Sequence, residues 1–276
     1  MRAMSTAVRL RRDSGVGTIS AICIYDFVES HEIETRFCDL PSLEGMYSAS
    51  PGPLILLSSE RPEGRRTFTC AHEFGHHVFG HGMRVDTEGV GLYSDNDEEF
   101  LVDCFAGFLL MPNVSIRHAY ICRGWNLSAP SAIQVFTIAS YFGVGYSTLI
   151  HHMTNGLGLL DRTAAQGLLG VQPKDIRRQL TGRIDSNLVV VDNHWNDRPI
   201  DVQVGDVVHL PMNAEIEGSC AYLLSTLSTG RLFEARAQGI GRFYIDKPRW
   251  SAFVRVSRRN YTGRSRYRFL EEGEDA

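Results

Sequence analysis

The chain has 276 residues, 43% hydrophobic and 22% charged, with a formal net charge of −4. That is enough apolar sequence for two ordinary domains or one large one, and the charge excludes a global attraction to nucleic acid. Six scattered cysteines without a C-x-x-C pair read as reduced thiols, and no apolar run near the basic N-terminus is long enough for a signal peptide or membrane span, so the expected location is the cytoplasm with no membrane partner.

Residues 1–15 carry Arg2, Arg9, Arg11 and Arg12 and form either a loose tail or a first helix. Thr18 to Val28 has helical spacing, with Ile22, Tyr25 and Val28 on one side. Ile33 to Phe37 alternates like a short strand, Leu40 to Met46 reads as a turn, and Gly52 to Ser59 is a compact apolar run that predicts a strand.

The chemistry-bearing stretch follows at Cys70–His81, which contains His72-Glu73-Phe74-Gly75-His76. On a helix, residues four apart share one face, so His72 and His76 can aim at a single ion while Glu73 reaches a water beside it as general base. A solvated helix that matches by chance is the alternative. Phe68, Ala71, Phe74, Gly75, Val78 and Phe79 oppose it, because a helix apolar nearly all round is buried, and buried His and Glu need partners. Catalytic zinc takes three protein ligands. Gly82 stands where the metzincin pattern would put its third histidine, so the third ligand is sought on a second helix. Asp97-Glu98-Glu99 opens an apolar run to Pro112, and Glu99 and Asp103 are four apart in it. Glu99 is the expected ligand, with Asp103 expected to take the free N–H of a ligand histidine. Against that stands a bland role for all three acids at a helix N-terminus, which Asp97 and Glu98 are left with.

The segment Arg65 to His76, followed by Glu99-x-x-Val102-Asp103-x-Phe105-Ala106-x-x-Leu109-Leu110-Met111-Pro112, resembles the ImmA/IrrE metallopeptidases. Their pattern is roughly R-x-x-F-T-x-A-H-E-x-G-H, then E-x-x-A-[ND]-x-F-A-x-x-L-L-M-P; Val102 replaces the usual small residue. The resemblance covers about the first half of the chain. It implies a gluzincin-like fold and an intracellular peptidase, whose substrates in the family are often helix-turn-helix repressors, so that cleavage derepresses phage, mobile-element or stress genes. It also assigns an edge strand beside the active-site helix to bind extended substrate, placed at residues 53–59 with Leu54, Ile55 and Leu56 as contacts.

Pro112 ends the second helix, and Ser115 to Cys122 begins another. Ser131 to Leu160 reads as two helices joined at Phe142-Gly143-Val144, resembling a helix-turn-helix. Its second helix offers Tyr146, Ser147, Thr148, His151 and His152, a poor set of base readers, so structural packing is favoured over DNA binding. Residues 161–184 form a polar, partly helical connector. Short strands then follow at Leu188–Asp192, Ile200–Val204, Val207–Leu210, Ala221–Ser225, Leu232–Ala235, Gly241–Ile245, Ala252–Val256 and Tyr267–Leu270, which predicts a sandwich or barrel. Val202 to Asn213 resembles chagasin-like immunoglobulin folds in flavour only. Lys247, Arg249, Arg255, Arg258, Arg259, Arg264, Arg266 and Arg268 crowd the end, before an acidic tail at Glu271, Glu272, Glu274 and Asp275. That cluster is either a solvated strand face or a binding surface with Trp250 as anchor.

The reading is an α+β chain. It has a gluzincin-like metallopeptidase domain over 1–163 that includes the helix-turn-helix-like helices, a helical connector over 164–186, and an all-β, Ig-like sandwich or barrel over 187–276. His72, His76 and Glu99 hold zinc, with manganese as the alternative ion; Glu73 is the general base and later returns the proton to the leaving amine. Tyr93, His118 and Tyr120 are unranked oxyanion candidates. His77 is expected on another face and His81 at the helix end, favoured by the dipole. The expected partner is a protein, a helix-turn-helix repressor. The rivals are a non-enzymatic regulator with a structural metal, acting through residues 131–160 or the basic cluster, and a metal hydrolase of a non-peptide substrate.

Overall fold

The computed structural model describes residues 1–82, 84–87, 97–196 and 198–270, with 84–87 as backbone alone. Helices and strands are mixed, and two four-stranded sheets lie in the C-terminal half. The N-terminal arginines are part of α1 (Arg2–Asp13), where Arg11 is buried and donates to Leu109 O at 2.8 Å, to Gly17 O at 3.0 Å and to Ser20 O. Those bonds, with Ser115 Oγ donating to Thr18 O at 2.7 Å, hold residues 17–20 out of a helix. The helix expected from Thr18 is therefore only α2 (Ile24–Glu29).

The first sheet runs in the order β13-β1-β3-β2-β4, from Gly263–Arg264, Glu34–Cys38, Leu54–Ser58, Leu43–Ser48 and Arg84–Thr87. Two expectations change here. The turn expected over Leu40 to Met46 gives way from Leu43 to strand β2 (Leu43–Ser48), and its glycine, Gly45, is there for close packing, as shown below. The expected edge strand, with Leu54, Ile55 and Leu56, is β3 in the middle of the sheet. It pairs parallel with β1 and antiparallel with β2, so both rows of its backbone groups are taken and it cannot add a substrate strand. The edge beyond β2 is β4.

Helix α3 (Glu63–Phe79) packs on β2 and β3 and against α4 (Asp97–Leu110). Asp97–Ile121 is, by length and composition, apolar enough to cross a membrane; here 61% of its most apolar window is buried inside the protein. After α5 (Asn113–Ile121) come α6 (Ala132–Phe142), opened by a Ser131–Gln134 capping box, and α7 (Tyr146–His151), which continues as a π-helical turn, His152–Gly156. The two arms meet at 100°. Tyr146, Leu149, Ile150, His152 and Met153 of the second arm are buried, which agrees with a packing role.

Helices α8 (Arg162–Leu169) and α9 (Pro173–Thr181) lead into two sheets. One has the order β5-β7-β10-β9, from Leu188–Val190, Val207–Leu210, Gly230–Ala235 and Ala221–Leu227. The other has the order β6-β12-β11-β8, from Ile200–Gln203, Trp250–Ser257, Gly239–Ile245 and Glu215–Glu217. Phe233 and Phe243, both buried, meet between them at 5.0 Å. The strand expected at Tyr267–Leu270 is instead a 3₁₀ turn at Ser265–Tyr267, which follows the two-residue strand β13.

Of the arginine-rich end, Arg255, Arg264 and Arg268 are held by acids of the fold, while Lys247, Arg249, Arg258, Arg259 and Arg266 are exposed. Arg255 donates to both Asp201 oxygens at 2.6 and 2.7 Å and pairs with Asp26 at 2.7 Å. Arg268 is buried, 3.2 Å from Asp201, with its guanidinium over Tyr25 and Phe269. Burial would raise the Asp201 pKa, but the hydrogen bond from Arg255 and the charges of Arg268 and Arg255 outweigh it and hold the carboxyl below its usual range. Arg264 pairs with Glu34 at 2.9 Å, and Trp250 is buried, donating to Trp195 O at 3.0 Å. These three arginines thus tie the last strands to α2 and β1. The acidic tail expected after it lies outside the described residues.

One buried histidine makes the fold sensitive to acid. His152 Nε2 donates to Met111 O at 3.0 Å, the ring packs on Phe108, and burial pushes its pKa down to about 4. An unfolded histidine titrates near 6.5. Between these values the unfolded chain binds a proton that the native one refuses. The stabilisation is complete above about pH 6.5 and is lost as pH falls toward about 4. In denaturant unfolding at pH 7 and pH 5, wild type should lose about 2 kcal/mol more than His152→Gln. Equal losses would place the acid sensitivity elsewhere.

Candidate metal centre

Arg66 to His76 of α3 are all buried, so the two histidines and Glu73 point into protein rather than water. Helix α4 crosses at Gly75, where Val102 fills the contact; a Cβ on Gly75 would meet the Val102 Cβ at 2.9 Å. This crossing brings Glu99 over the histidines. His72 Nε2 and His76 Nε2 are 3.1 Å apart, and Glu99 Oε2 is 3.1 Å from the first and 3.5 Å from the second. Donors held tetrahedrally at zinc bond lengths of about 2.0–2.1 Å stand about 3.3 Å apart, so this nitrogen–nitrogen–oxygen set fits zinc in chemistry and in spacing. Among the described residues it is the group of His, Cys, Asp or Glu side chains placed to hold a metal ion.

The outer nitrogens set the tautomers. His72 Nδ1–H donates to Asp103 Oδ1 at 2.8 Å, which leaves the Nε2 lone pair facing the centre. The Nδ1 atoms of His76 and His81 are 3.0 Å apart. With Nε2 as the ligand atom, His76 keeps its proton on Nδ1 and donates it to His81. The sequence reading missed this role for His81. The signal was Gly80: in the left-handed conformation, φ 73°, it ends α3 and turns the chain back, so His81 N–H bonds His76 O at 3.0 Å and its ring returns to the helix. His77 faces away, as expected, and meets the Tyr47 hydroxyl at 2.9 Å; burial, with the nearby His31, lowers its pKa.

Glu73 is fully buried beside β2. A Cβ on Gly45 would lie 2.5 Å from Thr69 Cγ2 and 3.0 Å from Glu73 Oε1, so only glycine lets the strand pass this close to the carboxylate. Glu44, next to it, is buried and held by Arg61 at 3.0 Å and Arg65 at 2.9 Å. Of the oxyanion candidates, His118 is exposed on α5, Tyr120 is buried against Trp125, and Tyr93 lies outside the described residues.

Residues 28–154, a little under half of the chain, match the Peptidase_M78 family, described as the IrrE N-terminal-like domain. This segment is similar to the peptidase domain of the ImmA/IrrE family. Both halves of the histidine–glutamate pattern fall inside it, as do β1 to β4 and α3 to α7. A peptidase domain implies a protein substrate, and His72, His76 and Glu99 are the candidate metal site. No curated protein matches the chain.

Proposed function

We propose that the chain is an intracellular, cytoplasmic zinc endopeptidase that cuts a regulatory protein, a helix-turn-helix repressor. The observation that carries this reading is the convergence of His72, His76 and Glu99 beside a buried, non-ligand Glu73 within a peptidase-family domain. When bound, the ion supplies a Lewis acid that lowers the pKa of water toward about 7 and polarises a carbonyl. Asp103 and His81 orient the two imidazoles. Glu73 takes the proton of the attacking water and returns it to the leaving amine nitrogen, which lets the peptide bond break without releasing an amide anion.

In this reading residues 1–163 form a gluzincin-like peptidase unit, 164–186 a connector, and 187–276 a β-sandwich with Ig-like flavour. The substrate strand takes the edge at β4 (Arg84–Thr87), which among the described strands pairs with β2 alone and so lies on the Glu73 side of the sheet. The site admits substrate past Glu99, whose side chain keeps 20% exposure while both histidines are closed to solvent. Derepression of mobile-element, phage-defence or stress genes would follow from loss of the repressor.

Purified protein should carry about one zinc per chain. Incubated with a helix-turn-helix repressor found in a neighbouring reading frame, the protein should cut that repressor into two discrete fragments, and a chelator should stop the reaction until zinc is restored. Metal-loaded protein that leaves every such repressor whole would remove this reading.

A further inference from the structure

A cleft of about 710 Å³ lies where the start of α3, the α6–α7 turn, α9 and β5 meet. It is not the metal centre. Phe68 and Thr69, one turn before His72 and Glu73, form its nearest wall. Its floor is apolar, with Phe68, Phe136, Val144, Tyr146 and Leu188, and Ser147, Thr148 and Asn187 add polar groups. The volume suits a small molecule.

The charges in its wall do not cancel. Glu63 is bonded by Arg66, behind the cleft. Asp201 is held by Arg255 and Arg268, as described above. Arg65 is spent on Glu44. That leaves Arg177 and Arg198. Arg177 makes no ion pair among the described residues, and its Nε is buried with no hydrogen-bond partner. The Nη atoms of Arg198 reach carbonyl oxygens, of Ile22 and Ser140, both at 3.4 Å, its guanidinium lies over the Trp195 ring, its charge reaches Asp201 without forming an ion pair, and its Nε is likewise buried without a partner. His151 and the Tyr146 phenol, whose pKa burial pushes up to about 12, are the remaining titratable groups in the lining. Two guanidinium groups that make no ion pair among the described residues, above an apolar floor, are a recognition set for a carboxylate or phosphate joined to a flat apolar body.

We propose that this cleft binds a small organic anion, with its charged head on Arg177 and Arg198 and its apolar body against Phe68, Phe136 and Tyr146. The proposal does not rest on peptidase activity, and neither does its test. Anilinonaphthalene sulfonate, a flat apolar anion, serves as the probe and is titrated by fluorescence into the full-length, metal-loaded chain. One saturable site is expected. Arg177→Glu should weaken it about tenfold or more, with circular dichroism, melting temperature and zinc content unchanged. The uncharged phenylnaphthylamine should bind wild type and Arg177→Glu alike. Ser147→Trp, which fills the cleft from its wall, should abolish both. Competition by naphthoate and by naphthyl phosphate then tells a carboxylate head from a phosphate head. Absence of a saturable site in wild type, equal affinity in Arg177→Glu, full binding in Ser147→Trp, or failure of both competitors would each overturn the proposal.

Discussion

Glu73→Gln should keep its zinc, keep its fold and lose its cleavage activity. Glutamine has the size and polarity of glutamate, so it fits the closed space between α3 and Gly45 that any larger change would disturb. It cannot accept a proton at neutral pH. Losing a positioned general base costs a factor of about 10² to 10⁴ in rate. The measurement is to express wild type and Glu73→Gln beside the repressor and to follow repressor length by gel and mass spectrometry, with metal content measured on the same purified proteins. Equal cutting by both would sink the proton-transfer role of Glu73. Equal derepression by both with the repressor whole would favour the regulator that acts by binding.

The second large effect is expected at the third ligand. Glu99→Ala removes the carboxylate that, among the described residues, lies within reach of both imidazole Nε2 atoms and should strip most of the metal at micromolar zinc. Glu98→Ala, one residue away, should retain it. Asp103→Ala and His81→Ala keep all three donors but free one ring each, and should weaken zinc binding about 10- to 100-fold. The check is competition against a chromogenic chelator, which reads affinity without any substrate. Retention by Glu99→Ala together with loss by Glu98→Ala would overturn the ligand assignment.

Local pattern carried some of this molecule into the sequence, and packing hid the rest. The four-residue spacings of His72 with His76 and of Glu99 with Asp103 are properties of single helices, so both pairs could be read in one dimension. Their meeting depends on the α3–α4 crossing, which places a glycine, Gly75, against Val102. The segment read as a turn over Leu40 to Met46 holds Gly45, which is a strand residue that gives clearance, and clearance is visible only once Glu73 lies opposite. The edge-strand assignment failed because an apolar five-residue run looks the same at the middle of a sheet and at its rim. The arginine cluster could not be resolved either, since Asp26 and Asp201 lie far from Arg255 and Arg268 in sequence and become their partners only on folding.

The pairing of β1 with β13 sets an order of events for a chain made from one end to the other. β1 is finished by Cys38, and its outer neighbour is not made until Gly263 and Arg264. At ribosomal rates of about 5–20 residues per second, that edge waits roughly ten seconds to most of a minute for its partner. During that interval the catalytic helices can already be present, while the sheet beneath them still shows a bare rim to every other nascent chain. Loss of only the last few per cent of the sequence, by a late frameshift or by trimming before residue 263, would make that transient condition permanent.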